Sequence, residues 1–187
     1  MDMPTLRLSI NAQTELRLLE EEDAPEIFAL VEQNRAHLRT WLPWLDLTLS
    51  VQDELNFIRH TKQQHAQSQS LACAIIHNGR IAGSIGYNMI DWQDRKTEIG
   101  YWLGTAFEGK GLMTQACEEM IRFAFSVLEL NKVEIHCAAG NTRSRAIPQR
   151  LHFTQEGIIR QAQWLYDHYV DMVTYGLLAS EWVSGRR

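Results

Sequence analysis

The feature that most constrains the fold is a glycine turn between strand-like and helix-like sequence. Residues 95–103 alternate as a strand does, and Gly109-Lys110-Gly111 then precedes apolar side chains at helical spacing. Those apolar positions are Met113, Ala116, Cys117, Met120, Ile121, Ala124, Val127 and Leu128. A short apolar stretch, residues 133–138, follows. This order of strand, turn, helix and strand predicts a right-handed crossover that joins two parallel strands.

The remaining strand signals predict antiparallel pairs on both sides of that crossover. Residues 70–77 and 80–90 are apolar runs joined by Asn78-Gly79, which is the strongest short hairpin signal. A turn at residues 91–94 leads into strand 95–103, so three consecutive strands form a meander. Residues 14–19 predict the first strand, and residues 153–178 a final hairpin around Asp167-His168. The predicted fold class is α+β, with a mixed, mostly antiparallel central sheet flanked by helices.

Three further helices are predicted from periodicity and capping residues. Residues 24–38 carry apolar side chains on one side. Ser50 is a suitable N-cap for a helix that reaches about residue 67, and Asn141 for one that reaches about residue 151. Neither a repeat nor a low-complexity linker divides the 187 residues. We therefore expect residues 1–187 to form a single domain.

Composition narrows the function classes. The formal net charge is −5, from 23 acidic and 18 basic residues, so we expect no nucleic-acid partner. The N-terminal sequence lacks the pattern of a signal peptide, and the apolar run 71–76 is too short to span a bilayer. We expect a cytoplasmic protein with no membrane partner. Three cysteines without a CxxC spacing, and histidines without ligand spacing, predict reduced thiols and no metal site.

The glycine turn has two interpretations on its residues alone. Glycines permit positive φ and close approach of the backbone, and a helix N-terminus favours an anion, so the turn could hold a phosphate. It is neither a GxxxxGK[ST] loop nor a GxGxxG loop. The other interpretation is a plain glycine-rich turn without a ligand.

The turn also resembles the pyrophosphate loop of the GNAT N-acetyltransferase superfamily, [Q/R]-x-x-G-x-[G/A], between a strand and a long helix. Glu108 stands where the family usually has Gln or Arg, and Met113 where it has Gly or Ala. An acidic side chain at the first position is expected either to point away from a pyrophosphate or to lose the usual role of that position.

Three other segments match in the same order along the chain. Asn141-x-x-Ser144, with Leu151 and Phe153 downstream, resembles the family's N-x-x-S helix. Segments 37–44 (HLRTWLPW) and 97–103 (TEIGYWL) resemble the branch of RimL/RimJ ribosomal-protein acetyltransferases.

The resemblance implies an acetyl-CoA-dependent transfer of an acetyl group to a primary amine, most simply the N-terminal α-amine of a ribosomal protein. The alternatives are a small-molecule amine such as a polyamine or aminoglycoside, and a non-catalytic acyl-CoA-binding module. It also implies a splayed parallel strand pair at the cofactor site, and a homodimer. The implied cofactor-binding residues are Trp102, Leu103, Glu108, Gly109, Lys110, Gly111, Leu112, Met113, Thr114, Asn141 and Arg150.

The resemblance also implies roles in catalysis. Glu98 is the candidate general base, the alternative being a surface glutamate on an edge strand opposite an arginine. Ser144 is the candidate acid for the leaving thiolate, the alternative being a plain N3 residue of a capped helix. Gly100, in mid-strand, is expected to mark the bulge that splays the strand pair.

Two groups of residues could have either a ligand-binding or a structural role. Trp41, Leu42 and Trp44 are the candidate acceptor-binding residues, or else they anchor a loop in the core. Arg143, Arg145 and Arg150 could pair with the 3′-phosphate of CoA or with acids elsewhere on the surface.

Overall fold

A computed structural model describes residues 6–182. Eight strands form one sheet in the order β1-β2-β3-β4-β5-β6-β8-β7, and only β5 and β6 are parallel. The strands are β1 Arg7–Asn11, β2 Thr14–Leu18, β3 Leu71–His77, β4 Arg80–Asp91, β5 Lys96–Leu103, β6 Lys132–Ala138, β7 Thr154–Leu165 and β8 His168–Leu178. The predicted α+β class and the mixed, mostly antiparallel sheet are therefore confirmed.

Four helices flank the sheet: α1 Ala24–Arg39, α2 Val51–Ala66, α3 Leu112–Ser126 and α4 Thr142–Arg150. Ser50 and Asn141 cap α2 and α4 as predicted, since each side chain accepts a hydrogen bond from a backbone N–H. None of the helices within residues 6–182 is long and apolar enough to cross a membrane.

Alternation along β3 shows how the sheet is buried on both faces. Cys73 and Ile75 pack in a core with α3, whereas Ala74 packs in a second core with α1 and α2. This matches the strand periodicity of two, which sends successive side chains to opposite faces. The three cysteines are free and buried, as predicted.

One element was missing from the prediction, because the strand at residues 14–19 is the second and not the first. Strand β1 precedes it and alternates between exposed and half-buried residues at the edge of the sheet. The turn between β1 and β2 carries no Asn-Gly pair; the side chain of Asn11 accepts a hydrogen bond from the N–H of Gln13 at 2.9 Å instead.

The parallel pair separates as the resemblance implies. Strand β5 pairs with β6 only over Lys96–Glu98, and residues 99–103 have no register partner on β6. The sheet therefore opens beyond Glu98, toward the start of α3.

Candidate functional site

Two connected cavities lie at the opening between β5 and β6. The first, which we call the glycine-loop cleft, has a volume of about 1030 Å³ and is lined by residues of the Glu108–Thr114 loop and by α4. The second, the Glu98 cavity, has a volume of about 580 Å³ and lies between the sheet and α2. Six residues line both: Trp41, Leu42, Tyr101, Trp102, Asn141 and Ser144.

The glycine turn has the backbone that its sequence requires. Gly109 has φ +74° and Gly111 has φ +75°, values that a side chain disfavours, and α3 begins directly afterwards at Leu112. The N-terminus of this 15-residue helix therefore opens beside the glycine-loop cleft. Free N–H groups and the helix dipole make such a position favourable for an anion.

Glu108 lines the glycine-loop cleft and does not point away from it. Its Oε2 lies 2.5 Å from Nη1 of Arg143, and its Oε1 lies 2.9 Å from Nε2 of His37. The carboxylate thus ties α1 to α4 across the cleft. Both oxygens are occupied by protein partners, which favours the expectation that the usual role of this position is lost.

Glu98 projects from an interior strand into the second cavity. Its Oε1 accepts a hydrogen bond from Nδ2 of Asn88 at 2.9 Å, and its Oε2 lies 3.5 Å from Nδ1 of His136. The alternative that Glu98 lies on an edge strand opposite an arginine is wrong, since its register partners are Met89 and Glu134. A carboxylate held by one amide, with an imidazole 3.5 Å away, can accept a proton from a bound amine.

Gly100 leaves space for the Asn88 side chain that contacts Glu98. The bulge expected at Gly100 lies on the neighbouring strand, β4. The register of β4 against β5 shifts between Tyr87 and Met89, so Asn88 is the extra residue. A Cβ at position 100 would lie 2.5 Å from Oδ1 of Asn88. A side chain at position 100 would therefore displace the Asn88 amide from the position in which it holds Glu98.

Ser144 belongs to a hydrogen-bonded cluster with Tyr101 and Cys137. Its Oγ donates to the hydroxyl of Tyr101 at 3.2 Å and lies 3.2 Å from Sγ of Cys137. The Tyr101 hydroxyl in turn donates to the carbonyl of Ser144 at 3.1 Å. In a regular helix that carbonyl would accept from residue 148, but Pro148 has no N–H. The proline thus leaves an acceptor that Tyr101 fills, and this fixes the tyrosine against α4.

Comparison with known proteins shows the family to which the chain belongs. Residues 13–154 match the profile of the family described as the acetyltransferase (GNAT) domain, which is more than half of the chain. The chain belongs to the GNAT acetyltransferase family. The predicted resemblance is confirmed, and the chain is an N-acetyltransferase.

Relatives and solved structures resemble this GNAT acetyltransferase along most of its length. The Bacillus subtilis protein YdaF, provisionally named a ribosomal N-acetyltransferase, is 37% identical over 92% of this chain and 95% of its own. The ribosomal-protein-serine acetyltransferase of Escherichia coli is 26% identical over 91% and 96%. The structure of RimL, a ribosomal L7/L12 α-N-protein acetyltransferase with coenzyme A, has a TM-score of 0.89 at 27% identity, covering 94% of this chain and 99% of RimL.

All but one of the residues predicted from the resemblance to bind the cofactor line the glycine-loop cleft of this GNAT acetyltransferase. They are Trp102, Leu103, Glu108, Gly109, Gly111, Leu112, Met113, Thr114, Asn141 and Arg150. Lys110 does not line it, and its Nζ lies 5.6 Å from the ring centroid of Phe107. The guanidinium of Arg145 is also bound elsewhere, by the hydroxyl of Tyr175 and the carbonyl of Ala139, each at 3.0 Å. Arg143 and Arg150 remain as the cleft's two arginines among the described residues.

The predicted acceptor-binding residues line the Glu98 cavity of the acetyltransferase. Trp41 and Leu42 lie where the two cavities meet, and the rings of Trp44 and Trp102 are 6.2 Å apart. Their loop is fixed from the final hairpin, where the hydroxyl of Tyr166 donates to the carbonyl of Leu42 at 2.5 Å. Leu42 and Trp44 also pack against the core formed with α1 and α2, so they anchor the loop as well as line the cavity, and acceptor binding stays a prediction.

Four residues of the site were not predicted: Glu54, Asn88, Tyr101 and His136. Asn88 and His136 contact Glu98, and Tyr101 contacts Ser144. One sequence signal was available for Glu54, since it shares helical spacing with Ile58 and Thr61 on the buried face of α2. The other three depend on contacts between distant segments. Residues 6–182 hold no group of three or more side chains placed to bind a metal.

Proposed function

We propose that the protein transfers the acetyl group of acetyl-CoA to the N-terminal α-amine of a protein, and that this protein is ribosomal. The observation that carries the proposal is the junction of the two cavities beside Glu98, where a donor in one and an amine in the other can meet. The names of YdaF and of the E. coli relative support the ribosomal acceptor.

The glycine-loop cleft suits the donor. Its volume of about 1030 Å³, its two arginines and the N-terminus of α3 fit a long ligand with phosphate groups. The turn and α3 would hold the pyrophosphate, Arg143 and Arg150 the remaining phosphate, and Asn141 the pantetheine arm. Acetyl-CoA supplies the acetyl group as a thioester.

Residues at and beside the junction would carry out the two proton transfers of the reaction. Glu98 accepts the proton of the attacking amine, while Asn88 and His136 hold its carboxylate in place. Ser144 is the proposed acid for the departing thiolate. Its hydroxyl donates to Tyr101 in this structure, so it would turn toward the CoA sulfur to protonate the thiolate, and the serine would recover a proton from solvent after CoA leaves. Positioning both reactants in one cleft supplies several kcal/mol of the barrier reduction.

The test is release of CoA thiol from acetyl-CoA with peptides that begin with Ser, Ala or Thr, with mass spectrometry of treated ribosomal proteins. Glu98→Gln should lower kcat by about 10²–10⁴-fold and leave CoA affinity unchanged, as expected for loss of a general base. Glu22→Gln, at an exposed position, is the matched control. Turnover by Glu98→Gln equal to the parent across the pH range would remove Glu98 from this role. Turnover of polyamines or aminoglycosides, and of no peptide, would favour the small-molecule alternative.

We further propose that residues 1–187 form one cytoplasmic domain and that the protein is a homodimer. Strand β7 is an edge of the sheet, and its hairpin exposes large apolar side chains that a second copy could cover. They are Ile158, Ile159, Trp164 and Tyr169. Sedimentation velocity decides the point: a purely monomeric protein at micromolar concentration contradicts the dimer.

A further inference from the structure

Helix α2 places a buried carboxyl group in the wall of the Glu98 cavity. Glu54 is only 4% exposed and lines the cavity together with Phe57, Thr61 and Gln64 of the same helix face. Among residues 6–182 no side chain forms an ion pair or hydrogen bond with its carboxyl group. Buried carboxylates normally have such a partner, so this position is costly unless a ligand supplies one.

The other polar groups of this helix face are already engaged. The hydroxyl of Thr61 donates to the carbonyl of Ile58 at 2.9 Å, and Oε1 of Gln64 accepts from the hydroxyl of Ser70 at 3.0 Å. Burial, with a smaller contribution from the carboxylate of Asp53, raises the pKa of Glu54 to about 7. Glu54 is thus the one acidic group of α2 that faces the cavity without a partner among the described residues.

The charges of the two cavities differ in sign. Within the described chain, the Glu98 cavity is lined by two carboxyl groups, Glu54 and Glu98, and by His136, but by no lysine or arginine. The glycine-loop cleft is lined by two arginines and one carboxylate, Glu108, which pairs with Arg143. This separation favours a phosphate-bearing donor on one side and a positively charged acceptor on the other.

One carboxyl group suffices for the reacting amine, so the second needs a separate partner. Glu98 lies on β5 with Asn88 and His136, whereas Glu54 lies on the helical wall. A volume of about 580 Å³ has room for on the order of 20 non-hydrogen atoms, which is more than a single amine requires.

We propose that Glu54 binds a cationic group of the acceptor other than the amine that is acetylated. This inference rests on the proposed function and names its substrate class: an acceptor with a second ammonium or guanidinium group near the reacting amine. The carboxylate of Glu54 would receive that group in a largely desolvated ion pair.

The test is a cycle of charge changes in enzyme and acceptor, run at pH 8 with seryl peptides that carry one lysine at position 2, 3 or 4. Each lysine peptide is paired with its norleucine counterpart. At the best position the wild-type protein should show a KM about tenfold lower for lysine than for norleucine, with kcat similar for both. Glu54→Gln should reduce this preference below about twofold, and Glu22→Gln should retain it. An equal preference in Glu54→Gln, or no preference in the wild-type protein at any position, overturns the inference.

Two additions separate this inference from the proposed function. Spermidine compared with octylamine tests whether the second cation belongs to a small molecule. A Glu54-dependent preference for spermidine without peptide turnover supports the role of Glu54 and contradicts the protein acceptor. Calorimetric binding of the lysine peptides and of spermidine, without acetyl-CoA, gives a measurement that does not need activity. Equal affinities for wild-type and Glu54→Gln protein there also overturn the inference, and thermal unfolding confirms that the variant folds.

Discussion

Replacement of Glu54 by glutamine is expected to stabilise the protein increasingly as the pH rises. Burial, and less strongly Asp53, raises the pKa of Glu54 from the ordinary value of 4.5 to about 7. Between these values the folded state keeps a proton that the unfolded chain has released. The wild-type protein therefore loses stability as pH rises from about 4.5 to about 7, and the loss is complete above pH 7.

The size of the effect follows from the two pKa values. Their difference of about 2.5 corresponds to about 3 kcal/mol of unfolding free energy, of which roughly 2.5 kcal/mol is lost between pH 5 and pH 8. Solvent screens this difference little, because Glu54 is only 4% exposed. Glutamine does not ionise, so Glu54→Gln should gain that amount over the wild-type protein on going from pH 5 to pH 8.

Urea denaturation at both pH values measures the difference. Contributions of the amide that do not depend on pH cancel when the two differences are subtracted. Glu22→Gln, at an exposed position, should show no comparable dependence. A stability difference between Glu54→Gln and wild type that is the same at pH 5 and pH 8 would refute the reasoning, because it would mean that folding does not shift the ionisation of Glu54.

Three further substitutions test the cleft and the base. Glu108→Gln should lower the Kd for CoA about 3–10-fold in calorimetry, since it removes a negative charge and frees Arg143; weaker binding would show that the carboxylate positions the cleft instead. His136→Gln should lower kcat about 3–10-fold with little change in the KM for acetyl-CoA, because Glu98 loses the imidazole 3.5 Å from its Oε2, and an unchanged kcat would contradict this. Gly111→Ala should cost about 1–2 kcal/mol in chemical denaturation and weaken CoA binding, since alanine disfavours φ +75°; unchanged values for both would mean that the loop adopts another conformation.

Local sequence signals were sufficient to predict turns and helix caps, because their conformation depends on neighbouring residues. Asn78 and Gly79 both have positive φ, at 52° and 73°, as the Asn-Gly hairpin signal requires. The caps Ser50 and Asn141 likewise act within three residues of their own positions. Strand β1 escaped prediction because half of it faces solvent and its turn depends on the side chain of Asn11.

The partners within the site could not be predicted, because they join distant parts of the chain. Glu108 meets His37 and Arg143, which lie 71 and 35 positions away. Its acidic side chain departs from the family's pattern, and only the fold shows the imidazole and the guanidinium that accommodate it. Gly100 was identified as unusual from the sequence, but its cause, the amide of Asn88, depends on the register of two strands.

The distribution of charge explains how a protein with a net charge of −5 can hold an anionic donor. Two arginines and the N-terminus of α3 outweigh the single carboxylate of Glu108 in the glycine-loop cleft, whereas the carboxyl groups of Glu54 and Glu98 face the other cavity. The residues that line both cavities are uncharged and include three aromatic side chains: Trp41, Leu42, Tyr101, Trp102, Asn141 and Ser144. The charged side chains therefore lie on either side of the junction, where each cavity attracts the ligand of opposite charge, and Glu98 is the carboxylate proposed to act on the attacking amine. The donor and the acceptor are thus attracted by opposite charges in separate cavities, and the reaction occurs where the two cavities meet.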